Sequence, residues 1–133
     1  MKKSNQTKLD TIFSIYIRKR DADKNGYCKC ISCGRIHNWK DMDAGHFVNR
    51  KHMSVRYNEQ NVNAQCRACN RFDEGNIPAY ALNLIKLHGE GVIHTLLWKK
   101  NIISKITDFE AETLISKYKE LVKELDNEKN LQS

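Results

Sequence analysis

Cys30-Ile31-Ser32-Cys33-Gly34 and Cys66-Arg67-Ala68-Cys69-Asn70 decide how this chain is read, because each is a C-x-x-C turn that offers two thiolates to one ion. The 32 residues between the pairs are enough for an excursion that leaves the first turn and returns to the second. Four thiolates close a tetrahedral shell, so Cys30, Cys33, Cys66 and Cys69 are expected to hold a structural Zn²⁺. A single C-x-x-C would leave thiol redox chemistry open as the rival reading. The fifth cysteine, Cys28, reads as a small strand residue.

Around this staple the composition is that of a small basic domain. The chain has 133 residues, a net charge of +7 and a pI near 9.2. Such an excess of cations favours a polyanionic partner, such as nucleic acid or an acidic membrane surface. Hydrophobic residues make up 40% and charged residues 29%, a balance in which a bound metal helps to hold the fold. An odd number of cysteines with no leader and cleavage site argues against a disulfide framework, and no apolar run could cross a bilayer. The expected location is therefore the cytoplasm.

Leu9, Ile12, Phe13, Tyr16 and Ile17 recur at helical spacing, which predicts a helix over Lys8–Asp21 ending in the basic run Arg18-Lys19-Arg20. Asp23-Lys24-Asn25-Gly26 is a turn, and Tyr27–Phe47 is expected to carry a β-hairpin with the first cysteine pair. Arg50–Asn63 shows no period and reads as a loop. Asn76 as a cap, Pro78 in the first turn and a stop near Gly89 mark a second helix, followed by another over Val92–Asn101. Thr107 and Glu110 form a capping box for a last helix reaching Glu128, whose apolar stripe from Leu114 to Leu125 can cover the domain or pair with a second copy. This gives an α+β chain with a zinc-stapled core and N-terminal helix over residues 1–89 and a helical extension over 90–133.

Between the cysteine pairs lie Trp39-Lys40-Asp41-Met42-Asp43-Ala44-Gly45-His46-Phe47, then Arg50, His52 and Arg56, then Asn61-Val62-Asn63-Ala64-Gln65. A histidine on a strand, an asparagine five residues before the second C-x-x-C and a polar residue just after it resemble the zinc-stapled HNH nucleases with a ββα-metal centre. The finer pattern resembles the phage NinG (Rap) recombination endonucleases over about Leu9 to Gly89. That resemblance implies an H-N-N variant in which His46 is the general base, Asn61 braces the loop that aims it, and Asn70 is the last motif position. It also implies branched DNA of phage or prophage recombination as substrate, inside a bacterial host.

The chemistry suits those residue types. Phosphodiester hydrolysis needs a base titrating near neutrality and a hard divalent cation such as Mg²⁺. Where the nuclease pattern usually has Asp or His directly before the histidine, this chain has Gly45. Asp43 is expected to supply the missing metal ligand together with Asn70, reaching over a residue without a side chain, with Asp41 as its substitute. Arg50, Lys51, His52, Arg56, Arg67 and Arg71 are expected to hold DNA phosphates. The competing class is a zinc-stabilised DNA-binding module without catalysis.

Overall fold

A computed structural model describes residues 1–131, and the order of elements is α1 (Lys3–Asp21), β1 (Tyr27–Lys29), β2 (Ile36–Asn38), β3 (Met42–His46), α2 (Met53–Arg56), β4 (Val62–Cys66), α3 (Arg67–Phe72), α4 (Ile77–His88), α5 (Gly91–Lys100) and α6 (Asp108–Lys129). Two antiparallel ribbons form the β structure, β1 with β2 and β3 with β4. The chain is thus mixed α+β with small sheets. No helix among the described residues is long and apolar enough to cross a membrane.

The expected hairpin is β1–β2, closed by the turn at Cys30–Gly34, where Gly34 takes a φ of 80° that only glycine adopts cheaply. The histidine strand pairs elsewhere. β3 runs against β4 with Asp43 opposite Gln65, Gly45 opposite Asn63 and His46 opposite Val62. β4 passes directly into α3, whose first turn is capped by the Cys66 sulfur accepting from the Cys69 amide. The segment read as a loop differs at both ends: residues 53–56 make one helical turn, and Val62 and Asn63 already belong to the buried strand β4.

α1 lies across this ribbon and α6 lies along α1. Leu9, Phe13 and Ile17, four residues apart, bury one face against Ala111, Ile115, Tyr118 and Val62. Phe13 and Tyr118 meet edge to face with centroids 5.0 Å apart. Helix α1 starts at Lys3, five residues before the sequence-based boundary, because Asp108 at the start of α6 accepts from the Lys2 amide and from Asn5 Nδ2. At the other end the Lys19 ammonium is fully buried 2.6 Å from Asp126, and Lys129 Nζ donates to the carbonyls of Lys19, Arg20 and Ala22. The capping box at Thr107 and Glu110 forms as expected. The stripe of α6 therefore covers the domain.

A second cluster joins α2, α4 and α5 through Val55, Tyr80, Leu84, Val92 and Leu96. Tyr80 ties this layer to the ribbon, its hydroxyl donating to the Gly45 carbonyl at 2.6 Å and accepting from Asn63 Nδ2 at 3.2 Å. Asn76 does not cap α4. It sits at φ 43°, and its amide instead donates to the Cys69 sulfur at 3.4 Å.

Candidate functional site

The β3–β4 ribbon carries a different chemistry at each end. At the sulfur end, Ile31 N donates to the Ala64 carbonyl and lays the first turn against β4, which brings Cys30, Cys33, Cys66 and Cys69 together with all four sulfurs within 4.8 Å of one another. Zinc bonded to sulfur at about 2.3 Å requires sulfur pairs roughly 3.8 Å apart, and Cys33 and Cys66 Sγ are separated by 3.7 Å. The Cys33 and Cys69 amides point at the Cys30 and Cys66 sulfurs, at 3.5 and 3.4 Å. Four sulfurs in this spacing, with amide donors behind them, fit a metal such as zinc.

The buried thiols do not ionise alike. Burial pushes the Cys66 thiol up to about 12 and raises Cys69, whereas at Cys30 the same burial is outweighed by backbone amides that hold it below its ordinary value. A dication would let all four ionise together. Cys28 is separate, buried beside the Arg18 carbonyl with its thiol pushed up to about 12 by burial.

At the other end, His46 lines two adjoining hollows of about 570 and 620 Å³, which share Ala44, Arg50 and Asn70. Its Nε2 is 2.9 Å from the Arg56 carbonyl. A carbonyl only accepts, so in the neutral ring Nε2 carries the proton and Nδ1 is left with a free lone pair. Burial, helped by the Arg56 and Arg50 cations, holds this imidazole below its ordinary 6.5. It is therefore neutral at pH 7.

Asn61 supports that arrangement from beneath. Completely buried, it accepts from the Val48 amide at 2.8 Å and donates to the Val48 and Val55 carbonyls at 3.0 and 3.1 Å, stitching the segment after β3 to α2. In the first hollow, Asp43 accepts from Asn70 Nδ2 at 3.0 Å and from both Nε and Nη2 of Arg71 at 2.9 Å. Burial alone would raise the Asp43 carboxyl, but these donors outweigh it and hold it below the usual carboxylate range.

The sequence matches a family model described as Bacteriophage Lambda NinG protein over residues 1–128. The chain belongs to the NinG family. Among curated relatives, Protein ninG of Escherichia phage lambda is 30% identical over 118 residues, covering 88% of this chain and 55% of that protein. Protein ninG of Escherichia phage 933W is 30% identical over 118 residues, covering 88% of this chain and 56% of the relative. For Salmonella phage P22 the identity is 35% over 77 residues, 57% of this chain and 36% of that protein. The chain thus spans about half the length of the phage lambda and 933W relatives. No solved structure matches it.

In this NinG-family chain His46, Asp43, Asn70, Arg50, Arg56, Arg67 and Arg71 all border the first hollow. Lys51 and His52 do not line either of the two hollows beside His46. The cations also differ in availability. Arg56 is not free for phosphate: its guanidinium is gripped by Asp10 and by the Arg50 carbonyl, with only 11% of the side chain exposed. Arg71 is occupied by Asp43 but half exposed. Arg50 makes no side-chain hydrogen bond or ion pair among the described residues, and Arg67 only touches the Lys40 carbonyl.

Two expectations about Asp43 change. Asp41 borders neither of the two hollows beside His46. The route over Gly45 is closed, because Gln65 fills that face: a Cβ at Gly45 would lie 2.8 Å from Gln65 Cδ and 2.9 Å from its Cβ. Asp43 reaches the hollow near the start of β3, beside Asn70 and Arg71 of α3. Gln65 itself bonds Ser32 Oγ, inside the first C-x-x-C, and the Gly75 carbonyl.

Asp10, Ser14, Arg18 and Lys40 complete the hollow and were absent from the expected site. A signal existed for three of them. Asp10, Ser14 and Arg18 recur every four residues, a polar stripe beside the apolar one on α1.

Proposed function

We propose that this chain is a metal-dependent DNA endonuclease of the HNH type, with Zn²⁺ at the four thiols and Mg²⁺ or a similar divalent ion at Asp43 and Asn70. The observation that carries this reading is the state of His46. Its proton is fixed on Nε2 by a carbonyl, its Nδ1 is free, and its hollow also holds a pair of hard oxygen donors and the cations Arg18, Arg50 and Arg67. The strand, returning strand and short helix that hold these groups agree with a ββα-metal centre.

His46 takes a proton from water as the water oxygen bonds to phosphorus and the phosphorus–oxygen bond to one nucleoside breaks, the leaving oxygen gaining a proton. Arg50, Arg67 and Arg18 hold the phosphate backbone without reading bases. The divalent ion, when bound, neutralises charge on the transferring phosphate. Asp43 and Asn70 fit such an ion by chemistry, one carboxylate and one amide oxygen on neighbouring elements. Branched recombination intermediates of a phage or prophage, in the cytoplasm of a bacterial host, are the substrate we assign from the family resemblance.

A non-catalytic DNA-binding module is the second reading, favoured by the closure of Asp43 on Arg71. Purified protein incubated with Mg²⁺ on linear, nicked and four-way branched DNA separates the two. Cleavage that falls at least about a hundredfold in His46→Ala, with binding retained, supports the nuclease. Binding without cleavage of any of these DNAs by the unaltered protein supports the module.

A further inference from the structure

The mechanism leaves one carboxylate in the hollow without a task. Asp10 lies on α1, 36 residues before His46 in the chain. Its Oδ1 accepts from Arg56 Nε at 2.9 Å and from the Tyr57 hydroxyl at 2.7 Å, while Oδ2 accepts from Arg56 Nη2. Burial would raise this carboxyl, yet the Arg56 and Tyr57 contacts outweigh it and keep Asp10 ionised. Three donors from two adjacent residues thus close on one anion.

Those two residues end α2, a helix of four residues. One turn cannot hold its own shape in water, so its C-terminal carbonyls go where tertiary contacts put them. Asn61 fixes the Val55 carbonyl. The next carbonyl, that of Arg56, is the one His46 Nε2 meets at 2.9 Å. On the same residue, Asp10 grips the guanidinium through two nitrogens, and a two-point grip sets both position and orientation.

We propose that Asp10 is a positioning residue for His46: by clamping Arg56 and Tyr57 it places the Arg56 carbonyl that keeps the imidazole proton on Nε2 and leaves the Nδ1 lone pair free. Its effect on cleavage rests on the nuclease reading; its effect on the imidazole does not. The charged groups that act on the ring are Arg56, Arg50 and Asp10; Arg18, Lys40, Asp43, Arg67 and Arg71 line the same hollow, and Glu74 the adjoining one. Replacing Asp10 therefore frees a second cation beside His46 as well as loosening its carbonyl.

The test compares Asp10→Asn, Asp10→Glu and Tyr57→Phe with the unaltered chain, reading the His46 tautomer and titration by nitrogen NMR alongside kcat and KM on cleaved DNA. Asp10→Asn is expected to mix the two tautomers and to lower kcat by about ten- to a hundredfold, with KM changed by no more than about twofold. Asp10→Glu should recover part of both, and Tyr57→Phe, which removes one donor of three, should shift both in the same direction by less. If Asp10→Asn does not fold, Tyr57→Phe decides. A variant that melts earlier yet keeps a single Nε2-protonated ring and an unchanged kcat overturns the proposal. Absence of cleavage by the unaltered chain sinks the nuclease reading instead, and the tautomer measurement still judges Asp10.

Discussion

The sulfur cluster and the histidine hollow, both carried by the β3–β4 ribbon, are built by opposite means. At the sulfur end, four ligands of one kind come from two short motifs, three of them are buried, and backbone amides complete the surroundings. Along β3, one imidazole, two carboxylates, an amide and several guanidinium groups come from α1, β3, α2 and α3 and stand around an open hollow that reaches from Asp43 to His46. The first arrangement needs two local turns and the single strand contact that joins them, Ile31 N on the Ala64 carbonyl. The second needs the tertiary fold, so the staple can survive changes at the cleft but the cleft cannot survive loss of the staple.

Removing the metal should test that asymmetry most severely. Cys66→Ser, or chelation of the unaltered chain, is expected to unfold the protein at room temperature, since a structural zinc contributes on the order of 10 kcal/mol of apparent stability. Circular dichroism and metal analysis check it, with one zinc per folded chain expected; a folded, metal-free protein would break the comparison.

The pH response sharpens it at the cleft. His46 is held below 6.5, so its neutral form persists through neutrality, and cleavage is expected to be flat from about pH 8 to 6.5 and to fall on the acid side by up to about tenfold per unit. The stability linkage has the same sign. A histidine less ready to take a proton when folded favours the native state above its unfolded value and loses that contribution as pH drops below it. A rate profile whose acid limb begins above pH 7 would contradict the neutral ring.

The seam between the ends is Gly45 under Gln65. Gly45→Ala forces the amide out of a buried position and should cost about 1–3 kcal/mol by urea unfolding. Adding Gln65→Ala should return a good part of that, although it abandons the bonds to Ser32 and Gly75; strictly additive losses would mean the two do not share the space.

Arg71→Ala is the mildest change. The pair with Asp43 is half exposed and screened by solvent, so stability should barely move. The informative readout is elsewhere: isothermal titration should show Mn²⁺ binding more tightly once the guanidinium no longer occupies Asp43, and the logarithmic salt slope of DNA binding should drop by about one. Unchanged ion affinity would remove Asp43 from the metal's coordination.

The staple and the helices were legible because both are periodic or local. C-x-x-C fixes its own geometry, and Leu9-Phe13-Ile17 and the Thr107–Glu110 box state their structure within a few residues. What escaped depends on contacts distant in sequence. Nothing near Arg56 announces that Asp10 will neutralise it, and nothing near Gly45 announces Gln65. The helix boundary at Lys3 was likewise hidden, since its cause sits at Asp108. Nothing in the basic run Arg18-Lys19-Arg20 announces that Lys19 and Arg20 serve the interior, one facing Asp126 and the other holding the Glu59 and Val62 carbonyls.

The paired long helices act as a single beam fastened at both tips, by Asp108 on Lys2 and Asn5 at one and by Asp126 and Lys129 on the last turn of α1 at the other. Asp10 rides on that beam nine residues from Lys19, about 14 Å along the axis. A lesion at Asp126 would therefore reach the imidazole as a tilt transmitted through a lever arm, with every neighbour of the cleft chemically intact.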